Sequence, residues 1–540
     1  MIRGFDKVRD LLAGFPFKLL ALIFAMAVLV PLGVVFIRAF GPATEAWAAV
    51  VEYRLSGYVW QTLLLVSLVT VIALVAGIPT AWIISAYDFR GRAVLDWVLL
   101  LPLAMPAFVA AAAYVDLLGK LTPFYIWVRQ EWGIDAFLRL QVIVPWVFAT
   151  GILGMTLFPY VYLSCRAIFA RQSAAAIDAA RLLGESGAGV FFRIALPMAR
   201  PAIVAGGSLV VMESMNDYGV VSLFGLVPLT PGVFRAWGEG EVVVAMRLAL
   251  FLMFFLTVVL TIERWQRGNR VFGESSGGGR LMRVQLGWKK TLAVWGVCIS
   301  PVIFGFFLPV WRLLGWCWDA RGAGWFAGHW EAAWNSFSLA GGSVVLLLGG
   351  ALVLVAVQRA YGSRVILVAQ KICLLGYGLP SALIAVGVGA FVVFLARNVP
   401  GAAVLVLSTS VFGLMLAYFV RFLAVAIQPL AAGFDQVTDD LREAARLLGS
   451  SRLGSMWRVD LPLVRPALLA GATLCFVDAF KELTLTLVLR PFDFETLATR
   501  IYRFTDEGRV AEAALPGMAL VTLCLAGLFP LSALMKRLER

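Results

Sequence analysis

Long apolar runs separated by short polar stretches make up most of the chain. A helix needs about 20 mostly apolar residues to cross a bilayer. The chain offers twelve such runs, predicted at 18–39, 59–87, 94–118, 141–168, 200–225, 242–263, 291–314, 334–358, 365–396, 401–427, 466–490 and 512–535. All are predicted to be helices, because backbone polar groups find no water in hydrocarbon and the alternating segments typical of a membrane barrel do not occur.

The composition supports an all-α integral membrane protein. Of 540 residues, 61% are hydrophobic and 14% are charged, whereas a soluble protein has about 25% charged residues. With the N-terminus placed inside, the inner loops carry about twice as many Lys and Arg residues as the outer loops, which is the usual bias for cytoplasmic loops. Both termini and the loops 169–199 and 428–465 are therefore predicted to be cytoplasmic.

The net charge of +13 does not indicate nucleic-acid binding, because the basic residues are dispersed over short loops. The six cysteines lie in or beside apolar segments without CxxC spacing, so they are predicted to pack in the interior rather than to form disulfides or a metal site.

The chain contains an internal repeat. Residues 178–203 and 443–468 are identical at 14 of 26 positions, at a constant offset of 265. Earlier in each half, Trp60-Gln61-Thr62 aligns with Trp334-Asn335-Ser336, and Pro106 aligns with Pro380, at an offset of 274. Each copy runs in the same direction with six helices, so the repeat is parallel rather than inverted. We predict a first half at 1–264, a cytoplasmic linker at 265–290 and a second half at 291–540.

The repeated loop reads as a small helix-turn-helix. Asp178 or Glu443 opens a short helix, and a glycine, Gly184 or Gly449, follows where a helix end requires positive φ. Between them, apolar residues recur at i, i+3 and i+4 and form one face. Such a face in the cytoplasm needs a covering partner. A hairpin packed on its own bundle is the alternative, but two copies at matching positions favour a partner with two-fold symmetry.

Polar residues occur in the membrane span that follows each loop. The first half has Glu213, Asn216 and Asp217, and the second half has Asp478, Lys481 and Glu482 at the equivalent positions. Because ionisable groups inside a membrane are costly, they mark either a translocation pathway or a buried pair that fixes helix packing. On a continuous helix, the two carboxylates of each half would share one face. The spacing predicts a pathway, with no metal site.

The repeated pattern [E/D]-A-A-x-x-x-G-x9-[I/V]-x-L-P resembles the EAA loop of ABC-importer permeases of the binding-protein-dependent class. The resemblance implies the type I ABC importer permease architecture and a coupling helix that seats in a separate ATPase subunit. The coupling residues it implies are Asp178, Ala179, Ala180, Gly184, Leu196 and Pro197 in the first loop, and Glu443, Ala444, Ala445, Gly449, Leu461 and Pro462 in the second. The chain has no G-x-x-x-x-G-K-[ST] phosphate loop, so ATP and Mg²⁺ are expected on an ATPase dimer, with no cofactor on this chain.

Several stretches resemble the ferric-iron permease subfamily. They are Met212-Glu213, Asp217-Tyr218-Gly219, Phe234-Arg235-Ala236-Trp237, Lys481-Glu482-Leu483, Leu489-Arg490-Pro491-Phe492, Phe494-Glu495-Thr496-Leu497-Ala498 and Ala511-Glu512-Ala513-Ala514-Leu515-Pro516. This resemblance implies ferric iron as cargo, an external solute-binding protein as partner, and the bacterial inner membrane as location. Thiamine, a phosphonate or another small organic solute is the alternative cargo. An ion-gradient-driven secondary transporter is the alternative from another class.

Overall fold

The computed structural model describes residues 2–42, 44–171, 174–267, 283–319, 328–398 and 411–538. The first half contains helices Ile2–Ala39, Glu45–Tyr53, Leu55–Ala86, Arg92–Val98, Ala107–Gly119, Thr122–Glu131, Gly133–Arg171, Ala174–Leu182, Gly187–Met198, Arg200–Asn216, Gly219–Leu223, Leu229–Gly238 and Val242–Arg267, and a 3-10 turn at Leu101–Ala104.

The second half follows a similar order, without described counterparts of Glu45–Tyr53 and Thr122–Glu131. Its helices are Trp288–Asp319, His329–Tyr361, Arg364–Leu375, Ser381–Asn398, Phe412–Asp435, Asp439–Leu447, Arg452–Ser455, Met456–Leu463, Arg465–Phe480, Thr484–Leu489, Leu497–Asp506 and Ala514–Leu538, with a 3-10 turn at Gly376–Gly378. Much of the predicted linker lies outside the described residues. At its two ends, the preceding helix extends to Arg267 and the next begins at Trp288.

The all-α membrane architecture is confirmed. Within the described ranges, eight helices are long and apolar enough to cross a membrane, and three bent helix pairs raise this number to eleven. The predicted twelfth span coincides with Ala514–Leu538.

Four predicted spans are broken rather than continuous, which corrects the sequence prediction. The spans 94–118 and 365–396 break at Pro106 and Pro380, where a proline cannot donate a backbone hydrogen bond. The spans 200–225 and 466–490 contain helices that end at Asn216 and Phe480. Hydropathy averages over a window and therefore does not register these breaks.

The repeat is visible in matched hydrogen bonds. The Thr62 hydroxyl accepts the backbone N–H of Leu229 at 2.9 Å, and the Ser336 hydroxyl accepts that of Leu497 at 2.8 Å. Leu229 and Leu497 are the first residues of equivalent helices, so each hydroxyl satisfies a donor that has no partner within its own helix. The aligned pair Thr62 and Ser336 therefore performs one structural task in both halves.

The two halves exchange their first helices. Ile2–Ala39 packs against Ser381–Asn398 of the second half, and Trp288–Asp319 packs against Ala107–Gly119 of the first. Small residues permit the close approach: a Cβ added to Gly387 would lie 2.9 Å from the carbonyl oxygen of Pro31. Close backbone contact of this kind drives helix association in lipid, where apolar side chains gain little by leaving hydrocarbon.

A short parallel strand pair ties the linker to the first half. Val284–Gln285 pairs with Tyr87–Asp88, which follows helix Leu55–Ala86. Next to this pair, the backbone N–H of Leu286 donates to the carbonyl of Asp88 at 3.0 Å. The linker thus returns along the first half before the second half begins.

The packing beside the break at Pro380 can be tested by a substitution at Gly376. A Cβ added to Gly376 would overlap the backbone carbonyl of Val420. A Cβ added to Gly341 would have no neighbour within 4 Å. We expect Gly376→Ala to lower the free energy of unfolding by about 1–3 kcal/mol, because a backbone neighbour cannot rotate away. Thermal unfolding in detergent measures this, with Gly341→Ala as the control. Equal midpoints for the two variants would contradict the prediction.

Candidate functional site

Each repeated loop forms the predicted short helix that ends in a glycine turn. The prediction that Asp178 or Glu443 opens this helix is wrong, because the helix begins four residues earlier and both residues lie inside it. The first docking helix is Ala174–Leu182 and the second docking helix is Asp439–Leu447. Gly184 has φ +84° and Gly449 has φ +86°. The N–H of the residue after each glycine donates back to the last turn, Glu185 to Ala180 at 3.1 Å and Ser450 to Ala445 at 3.0 Å. This is the Schellman arrangement, which requires a residue that tolerates positive φ.

Both docking helices end in an exposed pair of leucines. Leu182 and Leu183 are 89% and 88% exposed, and Leu447 and Leu448 are both 88% exposed. Two residues before each pair, Ala180 and Ala445 are buried. Each helix therefore has one buried side and ends in an apolar tip that no described residue covers.

The other predicted coupling residues divide between the two faces. Asp178 lies 3.4 Å from Arg181, while Ala179, Glu443 and Ala444 are exposed. Leu196 and Leu461 begin the last turn before each bend, with Pro197 and Pro462 at the second position of that turn. The chain then bends by 69° and 66° into the next helix. The prolines thus sit where the loop re-enters the bundle.

The two docking helices are anchored by different chemistry. In the second half, Arg442 Nε donates to both carboxylate oxygens of Asp460 at 3.0 Å, and both residues are buried. At an offset of 265, the first half has Ile177 and Ala195, which are fully buried apolar residues. An ion pair therefore replaces an apolar contact at equivalent positions.

The helices after the docking loops, named the first central helix (Arg200–Asn216) and the second central helix (Arg465–Phe480), end among the predicted pathway residues. A carboxylate just beyond each end accepts backbone N–H groups of the next helix. Asp217 accepts from Val220 at 2.9 Å, and Glu482 accepts from Leu485 at 3.0 Å. The idea that Asp217 and Glu482 share a helical face with Glu213 and Asp478 is thus wrong, because each helix stops before the second carboxylate.

The remaining predicted residues have distinct partners. Asp478 and Lys481 form an ion pair of 2.9 Å. Asn216 Oδ1 accepts the backbone N–H of Ser381 at 3.0 Å, which links the first central helix to the second half. Among the described groups, Glu213 has no hydrogen bond and no ion pair within 4 Å. Pairing, the alternative to a pathway role, thus accounts for Asp478 and Lys481 but leaves Glu213 unexplained.

Arg421 is a site residue that the sequence analysis missed. It is 6% exposed, lies within helix Phe412–Asp435, and its guanidinium donates to the hydroxyl of Ser381. Its Nε lies 3.9 Å from Glu482 and makes no hydrogen bond. A lone charge in an otherwise apolar span is itself a signal of an interior site, and that signal was available in the sequence.

A cavity of about 140 Å³ joins these groups across the two halves. It is lined by Glu213, Asn216, Asp217, Arg421, Lys481 and Glu482, among other residues. The buried Asn216 Nδ2, like Arg421 Nε, has no hydrogen-bond partner in the described structure. The sixth predicted residue, Asp478, faces an adjoining cavity that shares Tyr160 and Lys481 with the first.

The adjoining cavity, about 910 Å³, extends from Asp478 towards the docking loops, as far as Arg264 and Gln428. On the far side of the small cavity, the hydroxyls of Ser222 and Tyr502 lie 2.9 Å apart, and the Tyr218 and Tyr502 rings are 5.8 Å apart. These contacts join the two halves. The space around these groups is therefore wide on the side of the docking loops, and the two halves meet at Tyr502 on the other side.

The sequence profile described as "Binding-protein-dependent transport system inner membrane component" matches residues 73–266 and 329–540. The chain belongs to this family. Because the profile matches twice, this binding-protein-dependent transport component contains two copies of the membrane domain in one polypeptide, as the internal repeat predicted. It is an integral inner-membrane protein.

Three relatives illustrate the range of the family. The Fe(3+)-transport system permease protein FbpB 2 of Haemophilus influenzae is 26% identical over 481 residues, which are 87% of this chain and 88% of the relative. The sulfate transport system permease protein CysW of Escherichia coli is 28% identical over 209 residues, 37% of this chain and 67% of the relative. The putative 2-aminoethylphosphonate transport system permease protein PhnV of Salmonella typhimurium is 28% identical over 180 residues, 33% of this chain and 65% of the relative.

The pairing of Arg421 with Glu482 can be tested by removing the two charges separately and together. Arg421→Met leaves Glu482 buried and unpaired, so we expect a loss of about 3–5 kcal/mol in the free energy of unfolding. Arg421→Met combined with Glu482→Gln removes both charges and is expected to recover most of that loss. Thermal unfolding of purified protein measures the coupling, and additive effects of the two substitutions would show that the pair does not interact.

Proposed function

We propose that this binding-protein-dependent permease carries ferric iron, delivered by an external solute-binding protein and driven by a separate ATPase dimer. For the cargo, support comes from the relative of similar length, a ferric-iron permease aligned over 87% of the chain. The carboxylates of Glu213, Asp217 and Glu482 around the central cavity are in keeping with a hard cation, which favours oxygen ligands.

The proposal that a separate ATPase drives transport rests on the exposed leucines at the ends of the two docking helices. Two equivalent apolar surfaces, each on a helix fixed by buried contacts, suit the two subunits of an ATPase dimer. Closure of that dimer on ATP would move the docking helices together. Each docking loop leads directly into a central helix, so this movement reaches the cavity residues at the far end.

The proposed orientation places both termini and the docking loops in the cytoplasm, in agreement with the distribution of Lys and Arg. In this orientation, the 910 Å³ cavity opens inward, and the contact of Ser222 and Tyr218 with Tyr502 closes the outer side. Cargo from the binding protein would enter after this contact separates.

The cargo is tested by uptake into proteoliposomes that contain the permease, its ATPase and its binding protein. We expect ATP-dependent uptake of radioactive ferric iron in excess over thiamine, sulfate and 2-aminoethylphosphonate. Preferential uptake of one of the other solutes would reject iron but retain the importer. Uptake driven by an ion gradient in the absence of any ATPase would reject the importer mechanism itself.

The docking glycines provide the test of coupling. Gly184→Val or Gly449→Val places a branched side chain at positive φ, at a cost of about 1–2 kcal/mol, although the space around each glycine is open. We expect the loop to change shape, so that ATP hydrolysis no longer supports uptake while the protein remains in the membrane. The control is Gly240→Val, which has φ +81° and open space but precedes helix Val242–Arg267, outside both docking loops. Wild-type transport in both docking variants would reject the coupling role.

The carboxylates of the central cavities provide the test of the pathway. We expect Glu213→Gln with Asp478→Asn to reduce iron uptake several-fold, because the central region loses negative charge, while ATPase binding is unchanged. The control variant, Glu131→Gln with Asp135→Asn, removes two exposed carboxylates outside these cavities. Unchanged uptake in the first variant would assign these residues to helix packing alone.

A further inference from the structure

The two docking sites differ in what surrounds them. Beside the first docking helix, a cavity of about 730 Å³ lies between the docking loop and the end of the linker. Trp82, Tyr87, Arg181 and Glu185 line one side. The end of the linker and the first turn of helix Trp288–Asp319, together residues 284–290, line the other. Residues 284–290, named the linker wall, therefore extend the first docking site.

This wall is held in place by specific contacts. The strand pair sets Val284 opposite Tyr87, and Gln285 Nε2 donates to Asp88 Oδ2 at 2.7 Å. The docking helix joins the same corner, because a guanidinium nitrogen of Arg181 donates to the carbonyl of Ala86 at 3.5 Å. The linker end, the corner after Ala86 and the docking helix thus form one continuous surface.

The second site is built differently. The equivalent helix in the second half ends at Tyr361, and Gly362, with φ +60°, turns the chain directly into Arg364–Leu375. In the described part of the chain, the strand pair of the first half is the only sheet, so no equivalent strand pair lies beside the second docking helix.

Among the described side chains, the exposed charges without an ion-pair partner differ in sign between the wall of the first cavity and the second docking helix. Lys289 and Lys290 line the first cavity, are exposed, and have no acidic partner within 4 Å among the described side chains. On the second docking helix, Asp440 and Glu443 are exposed and have no basic partner within 4 Å among the described side chains. A single partner surface cannot complement both sets of charges.

We propose that the two docking sites bind ATPase subunits unequally, and that the first site is the stronger because an acidic segment of the ATPase subunit enters the cavity walled by the linker. This inference rests on the proposed function. Lys289 and Lys290 are the cations in this cavity that have no acidic partner among the described side chains. They would therefore attract an acidic segment. The same segment is repelled by Asp440 and Glu443 at the second site.

The test uses the full chain in nanodiscs and its purified ATPase subunit. Leu182→Ser with Leu183→Ser disables the first site, and Leu447→Ser with Leu448→Ser disables the second. We expect the variant that retains only the first site to bind the ATPase subunit about three- to tenfold more tightly than the variant that retains only the second, with the difference shrinking at high salt.

The role of the lysines is tested in the variant that retains only the first site. Lys289→Glu with Lys290→Glu should remove this advantage, whereas Lys289→Arg with Lys290→Arg should keep it, which separates charge from folding. Asp440→Asn with Glu443→Gln, in the variant that retains only the second site, should strengthen binding.

Equal affinities with equal salt dependence at the two sites would overturn the inference while leaving the importer intact. A stronger second site would overturn it as well. If the wild-type chain binds no ATPase subunit at any salt concentration, the proposed function itself fails.

Discussion

Backbone donors released inside the membrane must find acceptors within the protein, and this requirement organises the centre of the molecule. Two central helices stop partway along their spans, and the helices that follow them begin with N–H groups for which lipid offers no acceptor. Asp217 and Glu482 supply oxygens to the helices that follow, and Asn216 supplies one to the break at Ser381. The same residues line the cavity. The polar character of this cavity and the integrity of the broken helices therefore depend on the same side chains.

The sequence predicted the docking loops and the members of the polar cluster, but not how the members of that cluster are arranged. The docking loops were predictable because their geometry is local: a glycine at positive φ closes bonds that span only five residues, and the leucines beside it follow from helical spacing. The polar cluster was also predictable as a set, because the repeat aligned its members. Its internal arrangement was not, since a carboxylate that caps the next helix looks the same in sequence as one on a helix face.

Arg421 illustrates the other limit. Its partners are Ser381, at the start of a helix, and Glu482, in the break between two other helices, and no spacing rule connects them to it. The breaks at Pro106 and Pro380 were likewise marked by residues that the repeat had already aligned, yet a hydropathy window counts them only as part of an apolar run. Contacts between distant segments, rather than local propensity, decide these features.

The exchange of first helices holds the two halves together without help from the linker. Ile2–Ala39 rests on the second half and Trp288–Asp319 rests on the first, so each half is clasped by a helix from the other. The covalent connection between them is then not what keeps the halves together. Two polypeptides divided near the linker would already form an interlocked heterodimer. The linker is therefore not needed to hold the two halves together. Its last residues instead line the cavity beside the first docking helix.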